Sequence, residues 1–202
     1  MKNYNRKMLT ETSLLFLYIL SSANRKINCN TFKRYLYLYY LSLSFFNQET
    51  KDITFSLSKS DLKIPYLDEV LDDIQLAGLV DLDENDIIIK NNLVEYIKPM
   101  LDGKKGIKGA YFDLYKETKP FVNLLISYDD QYVFRIFFSE PTFKEAIDRG
   151  LASLNSSSSK LSVLLNQFKK KIANEDIDDY DILTCWMDFV LKNYYMEGFE
   201  NE

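Results

Sequence analysis

The chain has 202 residues, 47% of them hydrophobic, and a formal net charge of −5; that length suits one domain, or one small domain with an appended helical part, and that composition is ample for a packed core. It holds no histidine and only two cysteines, Cys29 and Cys185, which form no CxxC. This excludes Ser-His-Asp and Cys-His nucleophile chemistry and the common zinc sites, argues against a disulfide scaffold, and leaves carboxylate-only magnesium chemistry open.

The predicted elements begin with a helix capped by Thr10 and running over about 11–23. Its residues Leu14–Leu20 are apolar without a break, and a helix apolar all round is a buried one. Lys2, Arg6 and Lys7 ahead of that run mimic a signal peptide. The run is only seven residues long and no A-x-A site follows, so a cytoplasmic protein is expected. Residues 24–28 read as a polar turn. A second helix, capped by Asn30 or Thr31, is predicted over 32–46 with Phe32, Tyr35, Leu36, Tyr39, Tyr40 and Leu43 on one side. This tyrosine-rich stretch is too short and too rich in hydroxyls to span a bilayer. A phenol suits half-wet interfaces, so Tyr37 and Tyr40 are candidate contacts for a protein partner. The 15 tyrosines and 14 phenylalanines also fit a coding sequence rich in A and T.

Ile53, Phe55 and Leu57 alternate with polar residues as in a short half-buried strand. Pro65 then opens a helix to Ala77, with Leu67, Val70, Leu71 and Ile74 on one face, and Gly78 ends it. Two short apolar runs, Leu79–Leu82 and Ile87–Ile89, flank the acidic turn Asp83–Asp86 and read as a β-hairpin. The second half reads as helices over about 93–101, 110–127, 141–149, 161–172 and 178–195. Residues 132–138 suit a helix or a strand, and the serine-rich stretch 155–159 reads as a linker. The expected fold is mainly α with a small β-hairpin: a winged-helix-like unit over 9–91, then a helical region over 92–202 packed on it or extending it.

Charge falls in blocks: +6 over 1–48, −7 over 49–98, +4 over 99–172 and −8 over 173–202. Such blocks suggest separate faces for separate partners, or simply a solvated surface. The loop DGKKGIKG (102–109) lacks the Gly-Lys-Ser/Thr ending of a P-loop. Neither 81–86 nor 176–181 supplies the glycine and distal glutamate of an EF-hand. No cofactor is expected. Asp68, Glu69, Asp72 and Asp73 lie on the third helix, where a DNA reader needs Arg, Lys, Asn or Gln. No Lys or Arg occurs between Pro65 and Asn85, and carboxylates repel phosphate. That quartet is therefore the first candidate for a protein-binding face. Arg25, Lys26, Lys33, Arg34, Lys104, Lys105 and Lys108 are the candidates for contact with a nucleic-acid backbone, which carries no sequence reading.

The stretch LAGLVDLDENDIII that closes the third helix resembles winged-helix proteins, in which a Leu-x-Gly-Leu-Val ending leads straight into a hairpin. Leu14–Phe46, followed by this acidic third helix and its ending Leu76–Val80, looks like the small middle component of three-component bacterial ABC-ATPase defence systems of the Lamassu type. The resemblance is one of pattern over residues 10–90 and carries no catalytic motif. It implies a non-catalytic accessory subunit that binds an SMC-like ATPase and helps couple DNA sensing to a separate effector; separately, from the short apolar runs, no membrane contact is expected. Two other readings stand beside it: a winged-helix DNA-binding transcriptional regulator acting through its basic patches, and a carboxylate-dependent metal enzyme.

Overall fold

The computed structural model describes residues 2–23, 25–46, 53–58, 61–102, 110–172 and 177–199. The protein is mainly helical, with short antiparallel strands, as the periodicity predicts. Among the described residues no helix is long and apolar enough to cross a membrane.

In chain order the elements are α1 (Lys2–Leu20), β1 (Lys26–Asn28), α2 (Cys29–Ser42), β2 (Thr54–Ser58), β3 (Asp61–Lys63), α3 (Leu67–Leu76), β4 (Val80–Asp83), β5 (Asp86–Ile89), α4 (Asn91–Leu101) and α5 (Ala110–Ile126). These are followed by α6 (Asp130–Phe138), α7 (Pro141–Asp148), β6 (Ser153–Asn155), α8 (Lys160–Lys171) and α9 (Asp179–Phe199). Contacts divide the chain into two compact units, one made of Met1–Tyr35 with Ile64–Ser127 and the other of Leu36–Lys63 with Tyr128–Glu202. The division expected near residue 91 is not the one the contacts make. Helices α4 and α5 belong with α1, because Phe121, Val122 and Leu125 of α5 are fully buried and Phe121 meets Phe16 at 6.5 Å.

In the first unit α1 packs on α3, α4 and α5. It starts a full eight residues earlier than its predicted cap, since Thr10 is interior: its hydroxyl donates to the Arg6 carbonyl at 2.9 Å, one turn back. Residues 26–28, read as a polar turn, instead form β1, which pairs antiparallel with β5 so that Ile27 faces Ile87. The three-stranded sheet has the order β1-β5-β4. Asn28 then caps the second helix, its Oδ1 accepting from the Asn30 amide at 3.0 Å.

The second unit has its own sheet, of order β3-β2-β6. Here β2 takes its predicted place but pairs with β3 and β6, with Phe55 opposite Leu154. The ambiguous run 132–138 is helix, burying Val133, Ile136 and Phe137. Residues 155–159 are not a linker. Ile53 and Ser156 exchange two hydrogen bonds, the Ile53 amide donating to Ser156 Oγ and the Ser156 amide to the Ile53 carbonyl, both at 2.9 Å. Ser159 caps α8 by accepting from the Ser162 amide.

Candidate functional site

Helix α3 is set by a tight turn at its start. The Leu67 amide donates to the Ile64 carbonyl at 3.2 Å across Pro65-Tyr66, and Tyr66 takes the left-handed conformation, φ 66°. Leu67, Val70, Leu71 and Ile74 are buried beneath the helix. Gly78, at φ +72°, turns the chain out of it into β4. The opposite face carries Asp68, Glu69, Asp72 and Asp73, all exposed to solvent.

One cation from another element answers part of this charge. Arg6 of α1 reaches Asp73 at 2.6 Å and Glu69 at 3.5 Å. Two further ion pairs lie on the neighbouring hairpin, where Lys90 meets Asp81 at 2.5 Å and Lys26 meets Asp86 at 2.8 Å. The hydrogen bond it donates to Asp86 holds the Lys26 ammonium above its ordinary pKa. The hairpin tip has two residues between paired Asp83 and Asp86, and the first, Glu84, is at φ 47°. Among the described residues, Tyr66 and Glu84 are the non-glycine residues with positive φ, and they stand at the start of α3 and at the hairpin tip.

Leu76 is the residue that sequence reasoning missed. It is 87% exposed. Two residues beyond buried Ile74, it lies about 200° round a helix of 3.6 residues per turn, on the side of the acids. Asp72 and Asp73 lie one turn before it and Glu69 two turns before it, so an apolar tip ends the acidic side of the helix. The signal was available, because Leu76 falls off the 67, 70, 71, 74 stripe.

Tyr37 and Tyr40, proposed above as partner contacts, are corrected. They are 0% and 2% exposed and belong to the core. Tyr37 donates its hydroxyl to Glu140 Oε2 at 2.7 Å among the rings of Phe55, Phe137 and Phe143. Glu140 also accepts from the Thr142 amide and hydroxyl and the Phe143 amide at 2.7–2.8 Å, which makes it the N-cap of α7. Burial pushes its carboxyl above the ordinary value despite these four donors. Burial, and then the Glu140 charge, hold the Tyr37 phenol well above its own ordinary value. Each oxygen is satisfied, so this is a structural cluster.

The basic candidates do not form one patch of free cations. Arg25 is hydrogen-bonded to Asn91 Oδ1 and Lys26 is paired with Asp86, while Lys33 and Arg34 are half-buried on α2. Lys104, Lys105 and Lys108 lie outside the described residues. Among the described residues, no group of three or more Asp, Glu or Cys side chains is placed to hold a metal ion. What the α3 face can do chemically is attract cationic side chains and cover an apolar one. The chain matches no protein-family model, no curated protein and no solved structure with which it was compared.

Proposed function

We propose that this protein is a non-catalytic accessory subunit that works by docking on another protein, and that the elements α1-β1-α2-α3-β4-β5 are a winged-helix module with β2 and β3 inserted after its second helix. The element order and the sheet order β1-β5-β4 support the module. The observation that carries the function is the charge of α3: its exposed side is acidic at Asp68, Glu69, Asp72 and Asp73, and it bears no Lys or Arg. A duplex carries one negative charge per about 1.7 Å of axis, so a helix with this face is repelled from the groove. A protein surface carries no such penalty.

The pattern resemblance of residues 10–90 points to an SMC-like ATPase as the partner, in a bacterial antiphage or anti-plasmid complex that senses DNA. The test is co-expression of the full chain with the products of its adjacent genes, followed by purification on a tag carried by this chain. A stoichiometric complex with a coiled-coil ATPase is the expected result. A chain that stays alone with every adjacent product overturns the reading. A gel shift at low salt separates the regulator alternative: a duplex shifted by the chain alone at submicromolar concentration would favour DNA binding.

A further inference from the structure

We infer that the exposed face of α3 receives a basic amphipathic helix of the partner protein, with Leu76 as its apolar anchor; this rests on the docking function proposed above. Among the described residues Arg6 pairs with this face at Glu69 and Asp73, and Leu76 stays open to solvent beside them. Leu76 is 87% exposed, more than any other large hydrophobic side chain among the described residues. An isolated leucine on a surface needs no explanation, but this one ends a helix face that is acidic at Asp68, Glu69, Asp72 and Asp73. Glu69, Asp72 and Asp73 occupy the positions seven, four and three residues before it, and Asp68 extends the same side. An apolar anchor bordered by polar residues is how binding energy is commonly distributed at protein interfaces. The rim identifies the occupant by charge complementarity. Arg6 bridges Glu69 and Asp73 on one flank, whereas Asp68 and Asp72 are exposed acids on the other. The matching ligand is a helix with Lys or Arg spaced one turn apart on either side of an apolar pocket or side chain, laid against α3 as in helix-in-groove recognition.

The experiment is selection of a displayed random library of helical peptides against the full chain. Winners are then measured by fluorescence anisotropy on the natural chain, on Leu76→Ser and on Asp68→Asn/Asp72→Asn. The expected winners are basic, with apolar residues at i, i+3 and i+4. Leu76→Ser is expected to weaken them at least about tenfold, as for an anchor residue, and the double Asn variant to weaken them and flatten their salt dependence. All three substitutions are on exposed positions, and thermal melts confirm that the variants stay folded. Neutral or acidic winners, no winners, or winners indifferent to Leu76 overturn the inference. So does sedimentation showing a dimer that Leu76→Ser dissociates, because the occupant is then a second copy of this chain. If the co-expressed complex forms and survives Leu76→Ser, the accessory function stands and this face is not its contact; if no complex forms, the accessory function itself has failed.

Discussion

The Tyr37 hydroxyl and Glu140 Oε2 lie 2.7 Å apart, 103 residues distant in sequence, inside a cluster of phenylalanine rings. This bond joins α2 to the start of α7 within the second unit, and both its ends are buried. Removing either end leaves the other without its partner, and an unsatisfied buried polar group costs more than a hydrogen bond contributes. Tyr37→Phe keeps the ring and leaves Glu140 three of its four donors, so a loss of about 1–3 kcal/mol is expected. Glu140→Ala also strips the cap from α7 and orphans the Tyr37 hydroxyl, so its loss should be larger, about 3–5 kcal/mol. Urea unfolding of the two variants measures both. Equal losses would mean that the cap and the remaining donors contribute nothing.

The same carboxyl has a pH signature. Burial raises its pKa above the ordinary 4.5, against the pull of its four donors. The folded chain therefore takes up this proton at a higher pH than the unfolded chain does. Its contribution to stability is fully present below the unfolded value and is lost as pH rises through the folded value. Glu140→Gln cannot titrate. The stability of the natural chain relative to Glu140→Gln should therefore increase as pH falls from 7 toward 4.5, a comparison in which the other carboxylates cancel. Paired urea titrations across that range check it, and a gap that narrows on acidification would reverse the sign.

Much of this fold is legible in residue order. Leu67, Val70, Leu71 and Ile74 mark α3 by their spacing, Gly78 marks its end, and Asp83–Asp86 marks the hairpin, because each of these signals is local. What could not be read was long-range. Lys26–Asn28 carries one apolar residue and looks like a turn until β5 supplies its hydrogen bonds. The exposed α3 acids follow from helical periodicity alone, whereas the rings of Phe137 and Phe143 that meet Tyr37 come from about a hundred residues away. Glu140 hid for the same reason, since the Tyr37 hydroxyl that meets its buried carboxyl comes from 103 residues away.

Four consecutive serines show how far composition misleads. Ser156 is buried and its hydroxyl accepts the Ile53 amide, while Ser157 and Ser158 are exposed and, among the described residues, their hydroxyls bond to Asn155 nearby. Ser156→Ala should destabilise by about 1–3 kcal/mol, since it orphans a buried backbone donor. Ser159→Ala removes the cap of α8 and should cost about 1 kcal/mol. Ser157→Ala and Ser158→Ala should each stay within about 0.5 kcal/mol of the natural chain. A series of four thermal melts decides it, and four equal effects would restore the view of 155–159 as a linker.

The two ends of the β4–β5 hairpin make a last, opposed pair of expectations. Gly78 sits at φ +72°, and a Cβ there would meet only Asn92 Nδ2, at 4.0 Å. Space is therefore open, and the cost of Gly78→Ala is conformational, about 1 kcal/mol of destabilisation from the left-handed backbone alone. Glu84 occupies the same region, φ 47°, with a side chain that disfavours it. Asn tolerates this conformation better, so Glu84→Asn should stabilise by about 0.5–1 kcal/mol, while β-branched Glu84→Val should destabilise. If Glu84→Asn and Glu84→Val melt together, the turn does not hold residue 84 in the left-handed region in solution. If both melt with the natural chain while Gly78→Ala falls, the tip opens independently of the strands it joins.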